Sequence, residues 1–246
     1  MGTVWNQILA SIMANALYVM RNNPLVMLRS VLAPVSFLLL IFFVSRGELL
    51  DIAILGGFIS TMFSCGATLQ HHMDHMKSDF KTQEMIVSSP TRSIVYIVGM
   101  GLSELIYILP TIAIFAILFY FNIQVSFLEL LVIILILFLV FIISVTFHFT
   151  LETFSSDANQ SFTSNQLVAI FFSTLAPVSY PITMIPEPFR YFAYLSPTTY
   201  AAQFLQGITD LQDVSNEMLM IDLGVLIAIS IVMMRISIRN ARWRER

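Results

Sequence analysis

Long apolar stretches separated by short polar links dominate the 246-residue chain. The hydrocarbon core of a bilayer is about 30 Å thick, and a helix of about 20 apolar residues crosses it. The pattern predicts six such helices, with the bounds 25–44, 52–71, 93–120, 127–151, 166–180 and 218–234. A polar turn over 152–165 is expected between the fourth and the fifth. We therefore expect an all-α integral membrane protein with a single transmembrane domain over residues 1–246.

The composition supports a membrane protein rather than a soluble domain. Hydrophobic residues make up 57% of the chain and charged residues only 11%, which is more apolar and less charged than a typical soluble protein. Cys65 is the single cysteine, so the chain forms no intrachain disulfide.

The first segment, residues 1–23, has a mixed pattern. Trp5, Ile8 and other apolar residues recur at helical spacing, but Ser11, Asn15 and further polar residues interrupt them. This pattern favours a helix that lies in the membrane interface over one that crosses the bilayer.

The second predicted span is rich in small residues that allow helices to approach closely. These residues are Gly56, Gly57, Ser60, Ser64 and Gly66.

Basic residues are distributed unevenly over the links between the predicted spans. Ten of the twelve lysines and arginines fall on the side of the two termini, and only Arg46 and Arg190 fall on the other side. Cytoplasmic loops carry the excess of basic residues, so both termini are predicted to be cytoplasmic.

Residues 74–90, between the second and third spans, alternate apolar and charged side chains and end at Ser89-Pro90. The pattern predicts a short amphipathic helix that the proline stops. Two interpretations fit it: a helix tucked under the bilayer, or a docking surface for another protein.

Between the fifth and sixth spans the chain carries prolines at positions 177, 181, 186, 188 and 197 among many aromatic residues. Each proline removes a backbone donor and interrupts or caps a helix. Broken backbone survives in a bilayer only where it packs on protein, lines a cavity or lies at the interface. We expect a short re-entrant helical hairpin within 181–215, on the outer side.

Two of these motifs resemble the signatures of ABC-2 type transporter permeases. The stretch from Glu84 to Arg92, followed by Gly99, resembles the cytoplasmic signature. The second motif resembles the outer signature of the family. It consists of Pro177, Tyr180-Pro181, Pro186 and Ser196-Pro197-Thr198-Thr199-Tyr200. The chain departs from the family pattern at Lys81, where a glycine is common, and at Gln206, where an arginine is common.

The resemblance implies the permease subunit of an ATP-driven exporter in the plasma membrane, working by alternating access. Its substrate would be amphiphilic, drug-like or a lipid-linked glycan. Its partners would be a second permease subunit, expected to form a homodimer, two ABC ATPase subunits and membrane lipid, with no nucleic acid. The implied coupling residues are Lys77, Asp79, Phe80, Glu84, Met85, Ser89 and Pro90, and those of the outer hairpin are Pro177, Pro181, Pro186, Pro197 and Thr199.

The sequence agrees with this division of labour. None of the nine glycines precedes a lysine, so the chain has no phosphate-binding loop of the Gly-x-x-x-x-Gly-Lys-Ser/Thr type. We expect no enzymatic activity and no cofactor in this chain, with ATP and magnesium bound on the partner subunits.

Glu104 lies about 11 residues into the third predicted span, or about 16 Å along the helix. Carboxylates inside a membrane usually face a bundle interior or a wet pathway. Glu104 is therefore a candidate for the translocation pathway, together with Tyr180 and Tyr200 of the outer segment, or else it makes a hydrogen-bonded packing contact.

Histidines give further candidates. His71 and His75 share a helical face and suit a metal site or a pH-sensitive hinge, but also hydrated side chains at the interface. His148 and Glu152, four residues apart, suit a proton relay, a metal pair or an ion pair.

Two other functions use these residues. A proton- or ion-coupled secondary transporter would rely on Glu104 and His148, although the sequence shows no inverted repeat. An intramembrane hydrolase would rely on His71, His75, His148 and Glu152, although the sequence lacks the His-Glu-x-x-His motif.

Overall fold

The computed structural model describes residues 4–22, 25–78, 93–155, 158–172 and 176–240. Within these ranges all regular secondary structure is helical, which confirms the predicted all-α class. The α-helices are α1 (Val4–Ile12), α2 (Tyr18–Asn22), α3 (Leu25–Val44), α4 (Leu50–Ser78), α5 (Ser93–Asn122), α6 (Phe127–Phe154), α7 (Ala158–Ile170), α8 (Glu187–Ala193), α9 (Pro197–Ile208) and α10 (Asn216–Asn240).

A π-helical turn, Met13–Leu17, joins α1 to α2. Two polar residues of this segment face α5: Ser11 lies against Gly99, and the Asn15 side-chain amide donates to Met100 Sδ at 3.2 Å. The Tyr107 hydroxyl also donates to the Asn15 carbonyl at 2.6 Å. Most of the large apolar residues are exposed, with Trp5 at 64%, although Ala16 is buried. A polar inner face with an apolar outer face suits a lipid environment, and the interfacial position stays a prediction.

Helix α4 lies at the centre of the bundle and contacts α3, α5, α6, α7 and α9. Its glycines allow this: a Cβ at Gly57 would overlap the Phe115 ring, and one at Gly66 would overlap Ser144 and His148. The predicted close packing is confirmed at these glycines. Ser60 and Ser64, by contrast, are exposed.

The outer surface of the described bundle is strongly apolar. Phe43 is 72% exposed, Leu128 73% and Ile134 55%, and they lie on three separate turns of α3 and α6. Apolar surface on this scale marks contact with a membrane.

Four described helices are long and apolar enough to cross a bilayer. They comprise residues Leu50–Met73, Ile94–Asn122, Phe127–Phe154 and Asn216–Arg239. Helix α3 contributes a shorter apolar stretch, Ser30–Val44. These agree with five of the predicted apolar segments to within a few residues.

The predicted polar turn over 152–165 is wrong for most of its length. Helix α6 continues through Glu152 to Phe154, and α7 begins at Ala158. These polar residues can form a helix because their side chains bond to neighbouring helices. The Asn165 side-chain amide, for example, donates to the Ala67 carbonyl at 3.1 Å. The fifth segment therefore begins before residue 166, and the backbone over 176–180 is bent rather than helical.

The outer segment contains a single 3₁₀ turn, Ile182–Met184, followed by α8 and α9. Pro186 and Pro197 each precede or open a helix, where a missing N–H does no harm. The Ser196 side chain caps α9 by accepting from the Thr198 backbone N–H at 3.3 Å. The prolines thus start short helices instead of breaking a long one.

Candidate functional site

The predicted coupling residues mostly lie outside the described residues. Lys77 belongs to the last turns of α4. Outside the described residues are Asp79, Phe80, Glu84, Met85, Ser89 and Pro90. Since α4 ends at Ser78 and α5 begins at Ser93, the predicted coupling segment connects these two helices.

A histidine and a carboxylate join α4 to α5. The His72 Nδ1 lies 2.7 Å from the Glu104 Oε1. Glu104 is 1% exposed, while the side chain of His72 is 27% exposed. An ionised carboxylate is stable in the interior only when it is paired and hydrogen-bonded, so His72 is the partner that the position of Glu104 requires.

The polar contact continues beyond α4 and α5. The Tyr107 ring lies against the His72 ring with a centroid distance of 5.5 Å, and its hydroxyl reaches the N-terminal helices at Asn15. The Glu104 Oε2 has no hydrogen-bond partner in the described part of the chain. The site thus joins three segments and keeps one buried acceptor oxygen available.

The sequence analysis assigned no role to His72. The signal for its role was that α4 and α5 are consecutive and antiparallel, so polar residues near their linked ends face each other. The rotation of each helix, which decides whether the side chains meet, is set by packing.

His148 and Glu152 do not form the predicted ion pair. The His148 Nδ1 lies 2.9 Å from the Ser144 carbonyl, and its Nε2 has no hydrogen-bond partner in the described ranges. The Ser161 hydroxyl donates to the Glu152 carboxylate instead. Gln70 joins this second contact, since its amide donates to the Ser161 carbonyl at 3.2 Å.

His71 is exposed on α4, and the side chain of His75 lies outside the described residues. No group of three His, Cys, Asp or Glu side chains that suits a metal ion occurs in the parts of the chain that are described.

The three predicted pathway residues are not brought together. Glu104 meets α4 at His72, whereas the outer segment meets α4 at Gly56, where a Cβ would overlap the Val178 carbonyl. Positions 56 and 72 are about 24 Å apart along a helix. Tyr180, two residues after Val178, therefore lies near the other end of α4.

The outer segment is fixed by side chains bonded to backbone. The Arg190 guanidinium donates to the carbonyls of Ile185 at 2.9 Å and Thr183 at 3.0 Å. The Thr199 hydroxyl donates to the Ala193 carbonyl at 2.6 Å. Pro177 and Pro181 are buried, while Pro186 is exposed.

Asp222 is a site residue that the sequence analysis missed. It lies on α10, is fully buried, and both carboxylate oxygens lack a hydrogen-bond partner among the described residues. Burial raises the pKa of the Tyr200 hydroxyl, and the negative charge of Asp222 adds to that rise. The available signal was a carboxylate two turns inside an apolar segment.

An apolar outer surface, long apolar helices and polar side chains turned inward define a membrane protein that crosses the bilayer several times. The sequence profile described as ABC-2 type transporter matches residues 6–209, most of the chain. The chain therefore belongs to the ABC-2 type transporter family, as its motifs predict.

Domains of this family are transmembrane permeases, typically without an ATPase site, that associate with ABC ATPase subunits. No curated protein matched the sequence of this chain.

Proposed function

We propose that the chain is the permease half of an ATP-driven exporter for an amphiphilic, drug-like or lipid-linked glycan substrate. Two copies would pair in the plasma membrane with cytoplasmic termini, and two ABC ATPase subunits would supply ATP and magnesium chemistry. In this proposal the chain has six spans, a cytoplasmic coupling helix within 74–90 that follows the end of α4 at Ser78, and an outer re-entrant hairpin over 181–215.

The family match over residues 6–209 is the observation that carries this proposal. It includes both segments whose motifs resemble the family signatures, on the two sides of the predicted topology. The ten-to-two distribution of basic residues supports the orientation that places the coupling helix in the cytoplasm.

Helix α4 supports a mechanical route between those two segments. Its Ser78 end leads into the coupling segment, and near its Leu50 end Gly56 lies against Val178 and Ser179 of the outer segment. Contacts at the glycines are so close that α4 cannot shift without moving its neighbours. A push on the coupling helix would therefore reach the outer hairpin through α4.

The contact between His72 and Glu104 would also make two helices move together. Because it ties α4 to α5, both helices that flank the coupling segment would move as one unit. Alternating access requires two states that differ in their contacts with substrate and nucleotide. The unit of α4 and α5 would then change its position relative to α6 and α10.

The aromatic residues of the outer segment support the proposal of an amphiphilic substrate. Tyr194 and Tyr200 lie with ring centroids 5.7 Å apart, next to the exposed rings of Phe189, Tyr191 and Phe192. Aromatic rings with polar tips suit molecules that are partly apolar and partly polar. The same rings also suit an anchor at the headgroup level.

The test is transport by the chain purified with its ATPase subunits and reconstituted in vesicles. A fluorescent amphiphile should move only with ATP and magnesium, and a non-hydrolysable ATP analogue should stop turnover. Full-rate transport by the chain alone would overturn the proposal. If a pH gradient replaced ATP, and Glu104→Gln abolished that transport, a proton-coupled carrier would take its place.

A further inference from the structure

Asp222 is a carboxylate in the interior with its charge uncompensated by any described side chain. Its exposure is 0%, and neither oxygen has a hydrogen-bond partner among the residues that the structure describes. In the described ranges no basic side chain lies within ion-pair distance of it. Burying an isolated carboxylate is very unfavourable, so a buried carboxyl group is paired, binds a cation or takes up a proton.

Helix α9 lies opposite Asp222. A Cβ on Gly207 would lie 2.8 Å from Leu219 and 2.9 Å from Val214, so α9 and α10 form a tight antiparallel hairpin. Gln203 is one turn before Gly207 on the same face of α9, and Asp222 is one turn after Leu219 on α10. This register places Gln203 against Asp222.

Gln203 adds a further acceptor. Its Oε1 is buried and has no hydrogen-bond partner among the described residues. Tyr200, one turn earlier on α9, packs in the same apolar cluster as Leu219 and Leu223 of α10, which are near Asp222 in sequence. The facing helices α9 and α10 therefore contribute three buried acceptor oxygens without a described donor, one from Gln203 and two from Asp222.

Neutral amides do not resolve this arrangement. Gln206, also on α9, has a buried Nε2 without a described partner, and the Gln203 amide can present its nitrogen if it turns over. Either amide would donate one hydrogen bond to a carboxylate oxygen. A neutral amide carries no positive charge, so the charge of an ionised Asp222 would still be uncompensated.

We propose that Asp222, Gln203 and Tyr200 form a binding site for a small cationic group between α9 and α10. The site is about 9 Å along α10 from Asn216, in the outer third of the bundle. The cationic group is either a free alkali ion or the ammonium group of an organic molecule. The site does not depend on the proposed transport function, because the structure places it within a single chain.

The experiment measures thermal unfolding of the full-length chain in nanodiscs of zwitterionic lipid at pH 7.5. Tetraethylammonium chloride, a quaternary cation that donates no hydrogen bond, keeps the ionic strength constant while sodium, potassium or hexylammonium chloride replaces it. The variants are Asp222→Asn, Gln203→Leu and, as a matched control, Glu217→Gln, which removes an exposed carboxylate from the first turn of the same helix.

In the wild type and in Glu217→Gln, at least one cation should raise the unfolding temperature in a saturable manner. Asp222→Asn should abolish the rise. Gln203→Leu, which keeps the charge, should raise the half-saturating concentration about fivefold, as expected for one lost polar contact. A response to alkali ions alone indicates a free ion, and one to hexylammonium alone indicates an organic ammonium group.

Three results would overturn the proposal. The first is that no cation shifts the wild type. The second is an equal shift in Asp222→Asn and the wild type. The third is loss of the shift in Glu217→Gln, which would assign the effect to the exposed surface.

Discussion

Helices α4 and α10 both carry polar side chains into the bundle, but in opposite surroundings. In the most apolar stretch of α4, 67% is buried inside the bundle, whereas in the most apolar stretch of α10 only 17% is buried. The buried carboxylate that faces α4, Glu104, has His72 as its partner, whereas Asp222 on α10 has no described partner. The difference indicates that α4 uses its polar contacts for cohesion, while α10 holds a polar group that a ligand can satisfy.

The largest effect is expected from His72→Ala, which leaves the Glu104 carboxylate buried without its partner. Breaking a buried pair from one side costs about 3 kcal/mol of unfolding free energy, at the low end of the range because His72 is partly exposed. Unfolding in mixed micelles, followed by helicity, measures it. His71→Ala, at the exposed neighbouring position, is the control.

A double variant sharpens this prediction. Glu104→Gln in the His72→Ala background should recover most of the loss, because the uncompensated charge is gone. If His72→Ala and His71→Ala cost the same, the contact does not contribute to cohesion.

Gly66→Ala should cost about 2 kcal/mol, since the added methyl group would overlap Ser144 and His148 on α6. The control is Gly224→Ala on α10, where a Cβ meets nothing within 4 Å and alanine favours the helix. The same unfolding assay compares them. Equal unfolding free energies for Gly66→Ala and Gly224→Ala would mean that α4 and α10 are packed equally tightly. That result would contradict the difference between the two helices.

Asp222→Asn should raise stability by about 1 kcal/mol in tetraethylammonium buffer without smaller cations, because the amide removes a buried charge that no described side chain compensates. Glu104→Gln, the equivalent change at the paired site, should lower stability. If the two variants change the unfolding free energy in opposite directions, the paired and unpaired carboxylates differ as described. A change in the same direction would contradict that difference.

The smallest effect is expected at the outer segment. Arg190→Lys removes the fork that holds the carbonyls of Thr183 and Ile185, at about 0.5 kcal/mol because the site is partly exposed. Amide hydrogen exchange should become faster over 182–193 and remain unchanged in α4. Arg46→Lys, in the exposed turn after α3, is the control, and a matching change there would remove the assigned role of Arg190.

The apolar lengths in the sequence were sufficient to predict α3, α4, α5, α6 and α10, because the thickness of a bilayer limits where such helices begin and end. Length and hydropathy did not predict the helix over 158–165, because the residues there are mostly polar. Asn165 illustrates the reason: its amide bonds to α4, and a residue's partner on another helix is not visible in local composition.

The candidate site was predictable only in part. The depth of Glu104 marked it as a residue that needs a partner, but the choice of His72 depends on how α4 and α5 are rotated. The pair expected from local spacing, His148 and Glu152, was wrong because each side chain found a different partner, at Ser144 and Ser161. Asp222 was missed because the apolar residues around it dominate the pattern of α10.

The central claim is that an ATPase on the cytoplasmic side drives this chain through residues 74–90. The most direct test is photo-cross-linking with benzoylphenylalanine at Phe80, compared with the same probe at Phe121 near the opposite end of α5. The account predicts that Phe80 forms an adduct with a protein that carries a phosphate-binding loop, and that Phe121 does not. An ATPase adduct that is absent at Phe80, or equally strong at Phe121, would contradict it.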